Sequence, residues 1–177
     1  ENCLRYARTV LDSISDTVNG VCIDLRGNHG GNMYPMIAAV HRFLPDDILL
    51  KFKMRRRFWS VMPINKEFVA NLVGVEIESR INCPVAILTD EETASSGEAV
   101  LLCFRGLDNV RVFGSPTAGY ASANESIILD NGSILALTVS CDIARTGEVF
   151  CDDPIVPDVE TESPEEDAIF WLNDISS

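Results

Sequence analysis

The chain has 177 residues, 46% apolar and 23% charged, which is enough for one domain with a sizeable core and too little for two comfortable ones. Its 27 acidic residues outnumber 14 basic ones, giving a formal net charge of −13, and such a field excludes generic nucleic-acid binding because it repels phosphate. The apolar content excludes a disordered acidic chain, and no apolar run approaches the ~18–20 residues of a membrane span.

The first half of the chain alternates helical and strand patterns. Apolar residues repeat at helical spacing over residues 4–18, and a short apolar strand over residues 21–25 runs into a glycine-rich turn. Helices are predicted over residues 33–44, with Pro35 near the start where proline is tolerated, and over residues 64–73. Between them lies a basic cluster, interleaved with aromatic residues in a way that favours a strand or ribbon with a polar face: Lys51, Lys53, Arg55, Arg56 and Arg57.

The second half continues the alternation and adds a hairpin. Residues 84–89 form a predicted buried strand, which a helix over residues 95–104 and a strand over residues 110–113 follow closely. Two apolar runs, at residues 126–129 and 134–139, flank an Asp-Asn-Gly sequence. Asn-Gly between two such runs is a strong signal for an antiparallel hairpin.

The C-terminal segment predicts a further helix, and the whole alternation indicates one domain. A Ser-Pro-Glu-Glu sequence that starts at Ser163 combines a capping box with proline at the first helical position, which predicts a helix over residues 163–177. Strands that alternate with crossover helices favour an α/β fold with an antiparallel hairpin added. We expect residues 1–177 to form a single domain. Because the chain opens on Glu1 rather than Met, we expect that domain to be a fragment of a longer protein.

The six cysteines show neither a CxxC pair nor a short metal-ligand spacing. A chain this apolar does not need a disulfide framework to fold, and a free cysteine in an apolar run behaves as a small buried hydrophobe. The pattern favours reduced core thiols in a reducing compartment and leaves a disulfide pair as the alternative. The six are Cys3, Cys22, Cys83, Cys103, Cys141 and Cys151.

Two strand-to-helix turns are candidates for chemistry, and the first is rich in glycine. After the strand at residues 21–25, glycines that include Gly30 and Gly31 let the backbone turn tightly and leave amide groups free to face an anion. The spacing matches neither the Walker pattern nor GxGxxG, which disfavours a phosphate loop. An oxyanion hole needs only one or two such amides, whereas a plain tight turn needs none. Composition alone favours the plain turn.

The second turn places Ser95 between the strand over residues 84–89 and the helix that follows. A hydroxyl at such a junction is exposed, and the helix N-terminus stabilises negative charge beside it, which is the arrangement of a nucleophilic serine at an elbow. Serine is also a common N-cap residue. On these residues alone the N-cap interpretation is the better one.

In chain order, four motifs add a more specific signal. They are Gly-Val-Cys-Ile-Asp-Leu-Arg-Gly-Asn-x-Gly-Gly-Asn from Gly20, Thr-Ala-Ser-Ser-Gly-Glu from Thr93, Gly-Ser-Pro-Thr-Ala-Gly-Tyr from Gly114, and Pro-Ile-Val-Pro-Asp from Pro154. Together they resemble peptidase family S41, the C-terminal processing or tail-specific proteases, and most of all the branch that contains the nisin resistance protein. The resemblance covers residues 21–158 and implies an α/β spiral of strands and helices of the ClpP/crotonase type.

The resemblance implies a serine peptidase with Ser95 as the nucleophile. The oxyanion hole would be formed by the backbone amide of Gly30 or Gly31 together with that of Ser96. Acyl transfer needs the hydroxyl and the amides within about 3 Å of one carbonyl, so we expect the two turns to meet. The implied partners are peptides held in extended form by strand addition, and the acidic net charge favours cationic ones. We expect no cofactor and no metal, since no cluster of His, Asp or Glu has ligand spacing.

The general base is not evident in the chain. Family members with a lysine base carry it in a Pro-Thr-x-Gly-Lys segment, where this chain has Tyr120, a weak base at its unperturbed pKa of ~10. The branch that contains the nisin resistance protein uses a histidine upstream of this part of the fold. Of the histidines here, His29 lies in the glycine turn and could reach Ser95, whereas His41 falls in a predicted helix, where a surface or core role is expected. We therefore expect the base to lie outside this chain.

Three further carboxylates lie near the motifs. Glu98 is one helical turn from Ser95 and either orients the turn or is solvated near the start of the helix. No catalytic role is assigned to it, nor to Asp152 and Asp153.

Three classes of function follow from these residues. The first is a serine peptidase core that acts through an acyl-enzyme at Ser95, inactive as an isolated fragment if its base is elsewhere. The second is a catalytically decayed peptidase fold that only binds peptides. The third is a crotonase-like acyl-thioester enzyme, which shares the anion hole and does not need Ser95. The resemblance favours an extracytoplasmic or membrane-anchored location, the anchor being in a segment outside this chain, whereas the cysteines favour the cytoplasm.

Overall fold

The computed structural model describes residues 2–15, 17–55 and 59–175. Its helices and strands build a parallel sheet and an antiparallel sheet with helices packed against them. In chain order they are α1 (Asn2–Ser13), β1 (Val21–Asp24), α2 (Met33–Val40), a 3₁₀ helix (His41–Phe43), β2 (Ile48–Arg55), β3 (Trp59–Asn65), α3 (Lys66–Val73), β4 (Val85–Thr89), α4 (Ser96–Phe104), β5 (Val110–Gly114), β6 (Ser122–Ile128), β7 (Ile134–Ile143), β8 (Val149–Phe150), β9 (Val159–Glu160) and α5 (Pro164–Ile175).

The parallel sheet has the strand order β1-β4-β5-β9. All of β4 is buried, which is why its sequence is continuously apolar rather than alternating. Alternate side chains of β4 belong to two hydrophobic clusters. Val85 and Ile87 pack in the main core with α2 and α4, whereas Ala86 and Leu88 pack against α5. Helices on both faces of a parallel sheet confirm the predicted α/β class.

The antiparallel sheet has the strand order β3-β2-β7-β6, with β8 added beside β7. The predicted hairpin is confirmed as β6 and β7, which pair as far as Ile128 opposite Ile134. Both of these residues project from the core, with 76% and 70% of their surface exposed. The part of the hairpin nearer the core reaches further than predicted, to Ser122 on β6 and Ile143 on β7, because β2 and β8 also pair with β7 there.

The predicted basic ribbon and the predicted helix before it are both present, but their bounds differ from those predicted. Lys51 and Lys53 lie in β2, whereas Arg56 and Arg57 lie outside the described residues. The predicted helix over residues 33–44 ends as an α-helix at Val40 and continues as a 3₁₀ turn to Phe43. The turn stops there because Pro45 favours an extended conformation at Leu44. Among the described helices none is long and apolar enough to cross a bilayer.

The favoured interpretation of the cysteines as reduced core thiols is wrong for one pair. Cys141 on β7 and Cys151 just after β8 form a disulfide, with Cα atoms 4.6 Å apart, because β8 folds back against the end of β7. Cys83 and Cys103 are buried free thiols, as predicted, and Cys22 is a free thiol that is exposed. The side chain of Cys3 lies outside the described part.

Candidate active site

The glycine turn and the serine turn meet at one edge of the parallel sheet. β1 and β4 are adjacent and parallel, so the chain leaves both strands at the same carboxyl edge. The Ala94 amide donates to the carbonyl oxygen of Asn28 (2.9 Å), and the Ser96 hydroxyl donates to the carbonyl oxygen of Gly31 (2.8 Å). The structure thus brings together the predicted site residues, which are Gly30, Gly31, Ser95 and Ser96.

Ser95 has an unusual backbone conformation. It directly precedes α4 and has φ 52° and ψ −112°, and it is the one non-glycine residue of the described ranges with a positive φ. A side chain in that region costs roughly 1–3 kcal/mol, so the surrounding contacts must hold it there. A sharp strand-to-helix turn with a strained serine is the geometry that exposes a nucleophilic hydroxyl, and an ordinary N-cap has an extended backbone instead.

Gly30 is required beside Ser95 for steric reasons. Its φ is 98°, and a Cβ atom on it would lie 2.8 Å from Ser95 Cβ and 3.1 Å from both the Ala94 oxygen and the Ser96 nitrogen. Contacts under 3.0 Å between such atoms essentially do not occur, so only glycine fits without displacing the serine turn.

The two glycines of the turn differ in what their amides bind. The Gly30 amide donates to Asn28 Oδ1 (3.0 Å), so it is engaged within the turn. The backbone amides of Gly31 and Ser96 donate a hydrogen bond to no group among the described residues. Of the alternatives Gly30 and Gly31, the geometry therefore leaves the Gly31 amide available to an anion.

Glu98 lies beneath the serine turn and is fully buried, so the interpretation as a solvated residue is wrong. Its carboxylate accepts four hydrogen bonds, from the Ser95 amide (2.8 Å), the Thr117 hydroxyl (2.6 Å), the Gly119 amide (2.9 Å) and the Tyr120 amide (2.8 Å). The carboxylate thereby joins the turn at Ser95 to the segment over residues 117–120. Sequence reasoning gave this residue no role beyond orienting the turn.

The segment over residues 117–120 presents no base to Ser95. Its backbone and the Thr117 side chain are held by Glu98 and by Ile155, whose amide donates to Thr117 Oγ1 (2.8 Å). The Tyr120 side chain, at the position where other family members have lysine, points to solvent with 62% of its surface exposed.

Neither histidine lines the space in front of Ser95. His29 is exposed on the glycine turn and lies outside the cleft lining. His41 is buried, with Nδ1 2.7 Å from the Ala38 oxygen and Nε2 accepting from the Glu78 amide (3.1 Å), and burial lowers the pKa of its ring. His41 is therefore a core histidine, which is one of the two roles predicted for it, surface or core.

A cleft of about 580 Å³ opens in front of Ser95. The serine turn and the glycine turn form one side of it and the antiparallel sheet forms the other, including the first residues of β6. Because β6 is at the edge of that sheet, an extended chain could pair with it beside Ser95.

Asp142 lies at the bottom of this cleft and was not identified from the sequence. Only 2% of its surface is exposed, and its Oδ1 has no hydrogen-bond partner among the described residues. Burial, with a smaller contribution from the negative charge of Glu98, raises the pKa of its carboxyl from 3.8 to about 7. In the described part of the chain neither Asp142 nor any other residue belongs to a group of three or more His, Cys, Asp or Glu side chains that could hold a metal ion.

The raised pKa of Asp142 predicts how stability depends on pH. A carboxyl whose pKa is higher in the folded than in the unfolded chain takes up a proton on folding, so its contribution is present below about pH 4 and is lost as pH rises through about 7. Between pH 5 and pH 8 we expect the wild-type free energy of unfolding to fall by about 2–3 kcal/mol relative to Asp142→Asn, measured by urea denaturation. His41 is common to both proteins and cancels in the difference. Parallel pH profiles would contradict the expectation.

Known sequences are similar to nearly the whole chain. A profile of peptidase family S41 matches residues 5–161. The nisin-resistance protein of Lactococcus lactis subsp. lactis is 35% identical over 172 residues, and the carboxy-terminal processing protease CtpA of Bacillus subtilis (strain 168) is 25% identical over 169. These alignments cover 94% and 90% of the chain but 54% and 34% of the two relatives, so the chain spans about half or less of the proteins it matches.

Solved structures agree with this relationship. A lipoprotein from Streptococcus agalactiae superposes with a TM-score of 0.88 at 32% identity, covering 98% of this chain and 61% of that one. The photosystem II D1 C-terminal processing protease shares the fold, with a TM-score of 0.65 at 18% identity over all of this chain and 44% of that one. The neighbours confirm the predicted fold class. From the motifs in order, the meeting of the two turns and these matches, the chain belongs to peptidase family S41.

Proposed function

We propose that the chain is the catalytic core of a serine peptidase in which Ser95 Oγ attacks a peptide carbonyl. The observation that carries the proposal is the strained Ser95 backbone at the start of α4, next to a glycine with no room for a side chain. Membership of family S41 supports a protease function at the level of the family. The alternative of an ordinary N-cap does not account for the positive φ.

The reaction follows from this geometry. The Oγ–C bond forms as the proton of Oγ passes to a general base, and the oxygen of the carbonyl becomes an oxyanion. The free amides of Gly31 and Ser96 would donate to it, and α4 presents its N-terminus to the same charge. The C–N bond then breaks, the base returns the proton to the leaving amine, and water hydrolyses the ester of Ser95.

The general base of this scheme is proposed to come from outside the chain. Tyr120 faces solvent, His41 is used in the core, and among the described residues no histidine or lysine lines the cleft. The relatives are about twice as long or longer, which leaves room for a base on a segment beyond this one.

The proposal also covers the class of substrate and the cellular location of the protein. The names of the relatives concern resistance to nisin and the processing of carboxyl termini, so we infer that the substrate is a peptide or a protein terminus. It would bind in extended form against the edge of β6. A disulfide persists in oxidising compartments, and a lipoprotein is among the neighbours, which together favour an extracytoplasmic protein.

A second candidate is a peptide-binding module with a decayed catalytic site. The observation that favours it is the same absence of a base from the described lining of the cleft. It shares the cleft and the β6 edge with the first proposal and differs only in the chemistry at Ser95.

A fluorophosphonate probe tests the peptidase. In the longest natural form of the protein we expect covalent labelling that is lost by more than about 1,000-fold in Ser95→Ala, because no other described residue combines the strained turn with the free amides. Ser133→Ala, on the exposed hairpin turn, is the matched control and should label like the wild type. Labelling of the Ser95→Ala protein at the wild-type level would contradict the assignment of Ser95 as the nucleophile. Peptide binding without labelling or cleavage would favour the decayed module.

A further inference from the structure

The floor of the cleft carries two polar side chains that bind nothing among the described residues. Ser140 and Asp142 are two positions apart on β7, so they point to the same face of the sheet. Each is at least 95% buried, and neither Ser140 Oγ nor Asp142 Oδ1 has a hydrogen-bond partner there. Buried polar groups are normally hydrogen bonded, because an unpaired one loses its water without compensation. These two neighbouring groups are therefore available to a ligand that enters the cleft.

Apolar side chains stand beside these polar atoms. The register of β2 and β7 places Phe52 opposite Asp142 and Met54 opposite Ser140. Directly paired residues of antiparallel strands have their side chains on the same face, and both of these residues line the cleft together with Met62. A ligand in the cleft would therefore contact the flexible side chains of Met54 and Met62 as well as the Ser140 hydroxyl and the Asp142 carboxylate.

The charges around the floor favour a cation. No Lys, Arg or His lines the cleft among the described residues, and the negative charge of Glu98 acts on Asp142 with the same sign. Glu125 on β6 lines the same cleft, and the whole chain carries a net charge of −13. An ammonium or guanidinium group on an aliphatic stem matches both parts of the site, since the stem packs on apolar walls while the head pairs with the carboxylate.

We propose that Ser140 and Asp142 form the bottom of a subsite that binds a lysine or arginine side chain of the peptide. The Ser140 hydroxyl and the Asp142 carboxylate accept hydrogen bonds from the cationic head, and Phe52 and Met54 contact its stem. The proposal rests on the proposed function only in treating this cleft as the peptide site. It names a side chain of the substrate and is independent of the chemistry at Ser95.

Equilibrium binding to the Ser95→Ala protein tests the subsite without requiring cleavage. The ligands are fluorescein-labelled octapeptides of alanine and serine with a single lysine at each position in turn, and a matched series with norleucine, which has nearly the same shape and no charge. Fluorescence anisotropy gives the two dissociation constants. The variants are Asp142→Asn and Ser140→Ala, each combined with Ser95→Ala. Asp130→Asn, on the exposed hairpin turn, is the control for the change in net charge.

We expect lysine to bind at least about tenfold more tightly than norleucine at one position, and Asp142→Asn to reduce this preference to less than about threefold. Ser140→Ala should reduce it by a smaller factor, and Asp130→Asn should leave it unchanged. Equal binding of both series, no binding by either, or a preference that survives Asp142→Asn overturns the proposal.

Labelling separates this proposal from a catalytic role of the same carboxylate. If Asp142→Asn slows the reaction of Ser95 with a small uncharged fluorophosphonate by tenfold or more, the carboxylate acts on the nucleophile or its base, and the subsite is overturned. If the wild-type protein keeps its preference for lysine but does not label, the peptidase proposal fails and the subsite stands.

Discussion

We expect replacement of Glu98 by alanine to destabilise the protein by more than about 4 kcal/mol, a large fraction of the stability of an ordinary domain. The carboxylate is fully buried and accepts from three backbone amides and one hydroxyl, those of Ser95, Gly119, Tyr120 and Thr117. Alanine leaves all four donors without an acceptor where water does not reach, and each unsatisfied donor costs about 1–3 kcal/mol. The void left by the side chain adds to this loss.

Glutamine at position 98 keeps the shape of the side chain and is still not a conservative change. Because every partner of Glu98 is a donor, the amide NH₂ group of glutamine must face two of them. The Thr117 hydroxyl can turn to accept, but a backbone amide cannot. We therefore expect Glu98→Gln to lose about 2–3 kcal/mol and to label more slowly at Ser95, since the Ser95 amide is one of the donors.

Urea denaturation and the labelling rate measure these two effects. Glu91→Gln is the matched control, because Glu91 is exposed in the same turn, and it should change the free energy of unfolding by less than about 0.5 kcal/mol. A Glu98→Gln protein as stable as the wild type would show that the four bonds contribute little.

The importance of Glu98 could not be inferred from its local sequence. A glutamate in the first turn of a helix is ordinary, since it complements the helix dipole whether or not it is buried. Three of its partners lie 19–22 residues further along the chain, on a segment whose approach depends on the packing against Ile155. Ser95 and the two glycines, in contrast, belong to contiguous motifs, so the resemblance could point to them as candidates.

Asp142 was missed for a related reason. The alternation of β7 predicts which residues share a face, but it does not tell which part of a long hairpin lies against the core. The outer residues of β7 are exposed, whereas Ser140 and Asp142 are buried because β2 pairs with β7 at that end. Glu98 and Asp142 are therefore both buried carboxylates, but they differ in their hydrogen bonds. Glu98 accepts four, whereas Asp142 Oδ1 accepts none among the described residues and faces the cleft.

The main elements of the fold were predictable and the short ones were not. Segments with a clear apolar pattern, such as β4 and α4, follow from the sequence. β8 and β9 have two residues each, too few for any periodicity, and they form because β7 and β5 already offer an edge. The disulfide depends on β8, so the error over Cys141 and Cys151 has the same origin.

Gly30→Ala is expected to slow labelling of Ser95 by at least about 100-fold in a protein that still folds. The new Cβ would lie 2.8 Å from Ser95 Cβ, so either the glycine turn or the serine turn must move. A displacement of about 1 Å at a reacting atom is enough for a loss of this size. The overlap with Ser95 and its neighbours should also destabilise the protein by about 1–3 kcal/mol, beyond the strain of a side chain at a φ of 98°.

Gly147→Ala separates the steric effect from the backbone strain. Gly147 has a φ of 93°, close to that of Gly30, but a Cβ there has no neighbour within 4 Å, and the residue lies on an exposed turn between β7 and β8. It should therefore show the strain alone, about 1–2 kcal/mol, and label at the wild-type rate. If Gly30→Ala and Gly147→Ala behaved alike in both measurements, the close approach of Gly30 to Ser95 would have no part in positioning Ser95 for labelling. If only Gly30→Ala loses labelling, the missing side chain at position 30 is what allows the two turns to meet.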